Sequence, residues 1–371
     1  MSEPRYTPLR ERHEALGASF TDFGGWQMPV RYTSDLAEHH AVRQAAGIFD
    51  ISHMAEFTVR GADAGAYLDY ALAGRLSALA VGKAKYSLLL TAEGGIVDDV
   101  IVYRLADDDY LIISNAGNRD AVRDALAERV ADSGAPHVEV ADVSDDYALI
   151  AVQGPHAEKI LAATPGIADV SAPWDAQRYY AWASATFAGE PLLLARTGYT
   201  GEDGFELLVP AAHAVALWDA VLDAGTPHGL VPAGLAARDT LRLEAGMPLY
   251  GHELNRETSP AQAGLGRVVV AAKDRFVGKD APAPAPDARV LVGLTAEGRR
   301  AGRAGYAVVD ADGAPLGEIT SGALSPTLGH PIAMAYVDPS SAEEGTAVFL
   351  DVRGTRIPAT VTALPFYRRN S

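Results

Sequence analysis

The stretch AEFTVRGADAGAYLDYALAG, residues 55–74, begins with the alternation typical of a β-strand and continues with apolar residues at helical spacing. Residues 147–164, YALIAVQGPHAEKILAAT, repeat that pattern, and VRGADA at 59–64 matches VQGPHA at 152–157. In both places three more strand-like segments and a second helix follow. We therefore predict an internal duplication of a split β-α-β unit, the ferredoxin-like arrangement. Chance similarity of two common α+β layouts is the alternative.

The C-terminal part of the chain is predicted to be all-β. After the Pro/Ala-rich segment DAPAPAPDA, residues 280–288, six strand-like segments are separated by Gly, Pro and Asp turns, which indicates a small barrel. The predicted fold class is α+β, with two ferredoxin-like domains and a C-terminal β-barrel. The predicted domains are residues 1–52 together with 145–275, an inserted domain at 53–144, a linker at 276–288 and the barrel at 289–371.

Composition excludes several classes of function. The chain has 371 residues and no cysteine, which excludes disulfides, cysteine nucleophiles and thiolate metal sites and fits a reducing compartment. A net charge of −17 argues against a nucleic-acid partner. The N-terminal residues lack an apolar signal core, and no apolar run reaches the roughly 20 residues that span a bilayer. We expect a cytoplasmic protein with no membrane attachment.

Standard catalytic motifs are absent. The sequence contains no GxxxxGK[ST] phosphate loop, no GxGxxG after a strand and no GxSxG nucleophile elbow. The histidine pair His39-His40 does not predict a metal site, because adjacent residues lie on different faces of a helix. We interpret both histidines as surface or capping residues, and we expect no metal.

Basic residues form two local groups within this acidic chain. They are Arg299, Arg300 and Arg303, and Arg368 and Arg369 near the C-terminus. Such groups could bind an acidic ligand or a partner, but solvated surface charge is the favoured interpretation for each.

The run GGIVDDVIVYR, residues 94–104, places two aspartates in an otherwise apolar strand, where aspartate is uncommon. Because side chains alternate across a strand, Asp98 and Asp99 point to opposite faces, and Asp99 shares its face with Tyr103. The corresponding strand of the second copy, PLLLART, has no carboxylate. The fold therefore does not require the acid, which favours a functional role. The alternative is a pair of hairpin-end aspartates bound to Arg104 or water.

A second candidate stretch is RTGYTGEDGFELLV, residues 196–209, which reads as strand–loop–strand with three glycines. Glycines permit unusual backbone geometry and close approach of a ligand. Tyr199 and Glu206 are its candidate binding residues, and a plain hairpin with Glu206 in solvent is the alternative.

A third candidate stretch is AARDTLRLEAGMPLYGHEL, residues 236–254, which reads as a helix ended by Gly246 and Pro248. Arg238 or Arg242 could bind a carboxylate with its two-pronged guanidinium, either on a ligand or on Glu206. An exposed ion pair is the commoner alternative.

Taken together, these stretches resemble the aminomethyltransferase, or T protein, family of the glycine cleavage system. The resemblance covers nearly the whole chain, and its motifs occur in the family's order and spacing. They are DFGGWQMPV (22–30), GIFDISHMAEF (47–57), GGIVDDVIVYR (94–104), ARTGYTGEDGFEL (195–207), GLAARDTLRLEAGMPLYGHEL (234–254), GEITSGALSPTLG (317–329) and PFYR (365–368).

The resemblance implies a three-domain cloverleaf around a central folate site. It implies transfer of the aminomethyl carbon from the dihydrolipoyl arm of the H protein to tetrahydrofolate, which gives 5,10-methylenetetrahydrofolate and ammonia. It also implies no metal and no flavin. Asp99 is implied as the catalytic carboxylate beside the reacting nitrogens of the folate, with Asp98 supporting or solvated. The other implied folate-binding residues are Met54, Tyr86, Asn115, Tyr199, Glu206, Arg238 and Arg368.

Two alternatives share this fold. A folate-dependent demethylase module is usually joined to a flavin-binding domain, and this sequence has no dinucleotide fingerprint. A non-transferase folate-binding protein of the iron–sulfur maintenance type characteristically carries a cysteine motif, whereas this chain has no cysteine. Both alternatives are therefore less favoured than the transferase.

Overall fold

The computed structural model describes residues 3–369 of the chain, which fold into two compact units. The first unit comprises the chain up to Leu89 together with Asp99–Gly198 and Glu202–Arg238. The second comprises Leu90–Asp98, Tyr199–Gly201 and the chain from Asp239 onwards. The three domain boundaries expected from the sequence stay a prediction.

The first unit begins with a small N-terminal subregion, in which β1 and β2 form an antiparallel hairpin. Ser34 ends the extended chain before α2 and caps that helix by accepting a hydrogen bond from the Ala37 N–H. The elements are α1 (Arg10–Ala15), β1 (Ser19–Phe23), β2 (Trp26–Arg31), α2 (Asp35–Gln44) and β3 (Ala46–Asp50). His39 lies in the middle of α2 with none of its surface exposed, so its interpretation as a surface or capping residue is wrong.

The first α+β segment forms a five-stranded sheet with strand order β5-β6-β7-β4-β8. Its elements are β4 (Ala55–Arg60), α3 (Ala64–Ala71), β5 (Ala84–Leu90), β6 (Ile96–Ala106), β7 (Asp109–Ser114), α4 (Arg119–Ser133) and β8 (Glu139–Asp142). Strand β6 carries the two aspartates of the GGIVDDVIVYR run, and β5 and β7 lie on either side of it.

The second α+β segment forms a seven-stranded sheet with strand order β10-β11-β12-β13-β9-β3-β14. Its elements are β9 (Tyr147–Gln153), α5 (Ala157–Ala163), β10 (Ile167–Ala168), β11 (Trp182–Phe187), β12 (Glu190–Ala195), β13 (Gly204–Pro210), α6 (Ala214–Gly225) and β14 (Leu230–Pro232). Helix α7 (Leu235–Glu244) follows. Apolar residues of this sheet pack with the fully buried Trp218 of α6 into one core.

The two sheets confirm the predicted duplication. Strands β5-β6-β7-β4 and β11-β12-β13-β9 have the same order and connections, and both sheets continue to a strand that follows the second helix. The second sheet differs by the edge strand β10 and by β3, which is inserted between β9 and β14. Two ferredoxin-like segments therefore build the α+β part of the chain.

The short sequence match between the copies marks the same turn in each sheet. Gly61 follows β4 with φ 118°, and Gly154 follows β9 with φ 133°. A Cβ at Gly61 would lie 2.2 Å from the carbonyl oxygen of His137, and one at Gly154 would lie 2.5 Å from that of Ala45. Both positions therefore require glycine, because only glycine fits the backbone conformation and the close approach.

The C-terminal strands form a closed barrel with order β15-β18-β17-β16-β19-β20, as predicted. Each of the six segments expected from the sequence is a strand. They are β15 (Val290–Ala296), β16 (Ala307–Val309), β17 (Pro315–Leu324), β18 (Pro331–Val337), β19 (Ala347–Val352) and β20 (Thr355–Thr362). Within residues 3–369, no helix is long and apolar enough to cross a membrane.

Candidate functional site

Asp99 lies at the centre of a hydrogen-bonded group that spans three neighbouring strands. The Tyr86 hydroxyl on β5 donates to Asp99 Oδ2 at 3.1 Å, and Asn115 Nδ2, directly after β7, donates to Asp99 Oδ1 at 2.8 Å. Asn115 Nδ2 also contacts the Asp99 carbonyl oxygen at 3.3 Å. The structure thus brings together three residues that the sequence analysis assigned to one site.

Asp98 has the opposite environment. Its side chain is 0 % exposed, whereas Asp99 keeps part of its surface accessible. This difference agrees with the alternation that places the two side chains on opposite faces of β6. The expectation that Asp98 is solvated is wrong, because the fully buried side chain has no contact with solvent. A supporting role for Asp98 is compatible with its burial.

The protein environment changes the acidity of Asp99. Burial raises the pKa of its carboxyl above the usual value, while the hydrogen bonds from Tyr86 and Asn115 act in the opposite direction. A carboxylate whose pKa is raised toward neutrality is a better proton acceptor than an ordinary surface aspartate. Two hydrogen bonds also fix the orientation of the group, and lone pairs on both oxygens stay available for a ligand.

Glu206 is a second buried carboxylate, and it lies on β13. Both of its hydrogen bonds reach Oε2: Thr197 Oγ1 donates at 2.5 Å and the Tyr103 hydroxyl at 3.4 Å. No residue between 3 and 369 donates a hydrogen bond to Oε1. The side chain is only 9 % exposed, which overturns the alternative of a hairpin glutamate in solvent.

Burial raises the pKa of Glu206, and three groups counteract it: the hydroxyls of Thr197 and Tyr103 and the positive charge of Arg238. Burial also raises the pKa of Tyr103 well above its usual value, so this phenol stays protonated and acts as a donor. The arrangement orients Oε2 within the protein and leaves Oε1 able to accept a hydrogen bond from elsewhere.

Tyr180 connects the surroundings of these two carboxylates. Its N–H donates to the carbonyl oxygen of Arg196, next to Thr197, and its carbonyl oxygen accepts from Ala84 N–H at the start of β5. The charges of both Glu206 and Asp99 contribute to raising the pKa of its phenol, after burial. Tyr180 adopts φ 61°, a conformation that is strained for an aromatic residue and that often occurs at functional sites.

Arg238 lies near Glu206, and His53 lies near Arg238. The charge of Arg238 acts on both Glu206 and His53. Burial and the neighbouring Arg238 lower the pKa of His53 to about 4, against the opposing effect of Asp50, so His53 is neutral at pH 7. Met54 is half-buried in the turn before β4. None of the described contacts joins the Met54 side chain to the two carboxylates.

The guanidinium of Arg242, the second candidate arginine on α7, is held in an internal network. It is 1 % exposed, contacts Glu253 Oε2 at 3.0 Å and Asp239 Oδ1 at 2.7 Å, and donates to Ser321 Oγ at 2.7 Å. Arg242 is therefore a structural residue, and the alternative of an exposed ion pair is wrong for it.

The remaining predicted residues, Tyr199 and Arg368, belong to the second unit. The Tyr199 hydroxyl donates to the Pro248 carbonyl oxygen at 2.5 Å, which fixes the ring on the loop after α7. Arg368 is exposed near the end of the described chain. Within residues 3–369, no group of three or more His, Cys, Asp or Glu side chains could hold a metal ion.

Similarity to known proteins covers the whole chain. Residues 9–273 match the model of the GCVT N-terminal domain, and residues 289–368 match that of the glycine cleavage T-protein C-terminal barrel domain. The chain belongs to the glycine cleavage T-protein family. Its activity is aminomethyl transfer in the glycine cleavage system, as expected from the sequence.

Individual relatives agree with the family assignment. An aminomethyltransferase of Saccharopolyspora erythraea is 57 % identical over 375 residues, and one of Cutibacterium acnes is 58 % identical over 376 residues. Each alignment covers 100 % of both chains. The crystal structure of the glycine cleavage system aminomethyltransferase T from Bartonella henselae has 37 % identity and a TM-score of 0.87, with 98 % of each chain covered.

Sequence reasoning missed three residues that the structure places at this candidate site: Thr197, Tyr180 and His53. Thr197 and His53 lie inside motifs that were quoted for the family resemblance, but neither residue type by itself indicated a role. Tyr180 lies in no such motif, and its strained backbone is visible only in three dimensions. Tyr103 was placed on the Asp99 face by alternation, but its bond to Glu206 joins residues 103 positions apart.

Proposed function

We propose that the described site binds tetrahydrofolate, with Asp99 as the catalytic carboxylate and Glu206 as the group that holds the pterin. The observation that carries this proposal is the pairing of two oriented carboxylates around Tyr180, the partly buried Asp99 and the buried Glu206, each with acceptor capacity left over. A pterin presents adjacent amide and amine donors, which complement a carboxylate oxygen such as Glu206 Oε1.

The residues present fit that ligand. Glu206 Oε1 accepts no hydrogen bond from the described residues 3–369, although the side chain is almost fully buried. An acceptor atom that no protein group satisfies, on a side chain this enclosed, is open to a donor on a ligand. Arg238 acts electrostatically on Glu206 and stabilises its ionised form, which is the form that accepts hydrogen bonds from an amide and an amine.

Tetrahydrofolate supplies the nitrogen atoms that accept the one-carbon unit. Asp99 is positioned by Tyr86 and Asn115 to accept a proton from such a nitrogen and to stabilise positive charge that develops near it. Because the pKa of Asp99 is raised, its carboxylate binds a proton more tightly than an ordinary aspartate carboxylate does. Asn115, which donates to both the side chain and the backbone of Asp99, keeps the carboxylate in one rotamer.

The carbon donor in this proposal is the aminomethyl group on the dihydrolipoyl arm of the H protein. The products are 5,10-methylenetetrahydrofolate, ammonia and the reduced arm. The proposal needs neither a metal nor a flavin, and it places the reaction in the cytoplasm. Met54, Tyr199, Arg238 and Arg368 complete the proposed set of folate-binding residues.

Ammonia release from aminomethylated H protein tests this function. We expect release by the wild-type protein to be slow alone and to accelerate strongly when tetrahydrofolate is added, with formation of 5,10-methylenetetrahydrofolate in equal amount. Release that is unaffected by tetrahydrofolate would contradict the proposal. A parallel assay with dimethylglycine or sarcosine as the carbon donor should give no product, and turnover there would favour the demethylase alternative.

A further inference from the structure

One arginine-lined cavity on the C-terminal barrel is not used by the proposed function. Its volume is about 390 Å³, and Arg300, Arg303 and Arg353 line it together with Tyr306, Val352 and Thr355. Two of these arginines come from the loop between β15 and β16, where the sequence showed a local basic group. Arg353 comes from the β19–β20 hairpin, 50 positions after Arg303 in the chain.

The loop that carries Arg300 and Arg303 is held tightly against β17. A Cβ at Gly302 would lie 2.3 Å from Ile319 Cδ1, and one at Gly322 would lie 2.5 Å from the Gly302 carbonyl oxygen. Glycine at both positions therefore permits a close approach of the two backbones. Arg303 Nη1 donates to the Gly322 carbonyl oxygen at 3.0 Å, which fixes that side chain at the cavity.

Arg353 occupies a position at which arginine is unfavourable. The two-residue turn Arg353-Gly354 has φ values of 55° and 80°, the left-handed conformation of a hairpin turn that favours Asn, Asp or Gly. Arginine there costs conformational energy, and such cost is often found where a side chain serves a function. Its Nε donates to the Tyr306 hydroxyl at 3.3 Å, which directs the guanidinium toward the cavity.

The charge of the cavity is not neutralised by the protein. None of the three arginines forms an ion pair with any residue from 3 to 369, and no carboxylate is among the residues that line the cavity. Most other arginines with defined contacts in this acidic chain pair with an Asp or Glu. Three positive charges around one cavity repel each other in the absence of an anion, and a guanidinium group can bind a carboxylate or a phosphate with two hydrogen bonds.

We propose that this cavity binds a ligand that carries two or more carboxylate or phosphate groups. The ligand should carry more than one negative charge because three arginines line the cavity. The net charge of −17 also repels anions, so a single weakly held anion would not bind. Tyr306 and Val352 provide an apolar wall for the part of the ligand between its charged groups. This inference is independent of the folate site.

Equilibrium binding of triglutamate and of tripolyphosphate to the full-length protein tests the proposal, with titration calorimetry at low and at high salt. We expect at least one probe to bind with 1:1 stoichiometry and to bind more weakly as salt increases. Preference for triglutamate identifies a carboxylate ligand, and preference for tripolyphosphate identifies a phosphate ligand.

Two variants on the same hairpin separate a specific site from general surface charge. Arg353→Asn introduces a residue that tolerates the left-handed turn. It should weaken binding of the probe about tenfold or more, because one pair of charged hydrogen bonds is lost. Arg356→Gln removes the same charge three residues later, on β20, where the guanidinium bonds to the Ala311 carbonyl oxygen and does not line the cavity. It should change the affinity less than about twofold. Equal losses in the two variants, or no binding of either probe to the wild type, would overturn the proposal.

Discussion

Strands β6 and β12 occupy the same place in the two duplicated sheets, yet their chemistry differs. Strand β6 carries Asp98 and Asp99 in its interior, whereas the only acid of the corresponding strand β12 is its exposed first residue, Glu190, and the residues after it, PLLLART (191–197), have no carboxylate. In the second sheet the carboxylate that we propose binds folate, Glu206, lies one strand further along, on β13. The duplicated fold therefore requires no acid in the interior of either strand. The acids are therefore additions to a common scaffold, and each should be removable without loss of the fold.

The largest effect is expected for Asp99→Asn. The variant should fold and bind tetrahydrofolate, but kcat should fall by about 10²–10⁴-fold because the proton acceptor is lost. Steady-state ammonia release and a thermal unfolding curve measure the two parts of this prediction. Turnover close to that of the wild type would remove Asp99 from the catalytic role.

Asp98→Asn is the matched control on the same strand. Because Asp98 is fully buried on the other face of β6, its loss should lower the melting temperature and change kcat by less than about threefold. Equal losses of kcat in Asp98→Asn and Asp99→Asn would contradict the assignment of the two faces.

Glu206→Gln tests the acid of the second sheet. Its removal should raise the KM for tetrahydrofolate by about 10–100-fold, the value of one charged hydrogen bond, with a smaller change in kcat. Glu202→Gln is the control, since Glu202 is also buried but pairs with Arg43 at 2.9 Å. That control should reduce stability and leave KM unchanged. A higher KM in both variants would mean that the effect on Glu206 is only structural.

Strand β3 occurs in the second sheet and has no counterpart in the first. Its last residue, Asp50, leads to a prediction about stability. Burial raises the pKa of Asp50, but hydrogen bonds from His13, Thr7 and Ser52 outweigh burial and hold the pKa below its usual value. The ionised form is therefore favoured in the folded state. Its contribution to stability is present above the unfolded pKa of about 4 and is lost as the pH falls through the lower folded value.

Asp50→Asn should accordingly lower the free energy of unfolding by about 1–3 kcal/mol at pH 7 and by less at pH 3. Urea unfolding at the two pH values measures the difference. Asp219→Asn, which removes an exposed ion pair with Arg12, should cost less than about 1 kcal/mol at either pH. An Asp50→Asn effect that is the same at both pH values would show that ionisation of Asp50 does not stabilise the fold.

The smallest effect is expected for Tyr180→Phe. No residue between 3 and 369 forms a hydrogen bond with the Tyr180 hydroxyl, so its removal should leave stability unchanged. If that hydroxyl contacts substrate, kcat/KM should fall by about fivefold, which corresponds to one neutral hydrogen bond. Tyr179→Phe, a change in the exposed aromatic neighbour, should leave kcat/KM as in the wild type. Unchanged kcat/KM in Tyr180→Phe would restrict Tyr180 to a structural role.

Local patterns predicted most of the fold. Alternation and helical spacing predicted both duplicated segments, and turn residues between short strands predicted all six strands of the barrel. Alternation did not predict that β3 inserts between β9 and β14, because this pairing joins Gly47 to Gln153 across more than a hundred residues. Burial of His39 and Asp98 was missed for a related reason: their residue types are usually exposed, and only tertiary packing encloses them.

The candidate site was predictable where the family resemblance assigned its residues. Tyr86, Asp99 and Asn115 come together because β5, β6 and β7 are neighbours, and their hydrogen bonds agree with one shared role. The contacts of Glu206 with Thr197 and Tyr103, and the strained Tyr180, depend on how distant segments pack. No local pattern of residues encodes such contacts.

If Asp99 is the proton acceptor, its ionisation sets the pH dependence of single-turnover ammonia release at saturating tetrahydrofolate. Because burial raises the pKa of Asp99, the wild-type rate should fall on acidification with an apparent pKa above the usual carboxyl value near 4. In Asp99→Asn the residual rate should lose this acid limb. The same acid limb in both proteins would contradict the account.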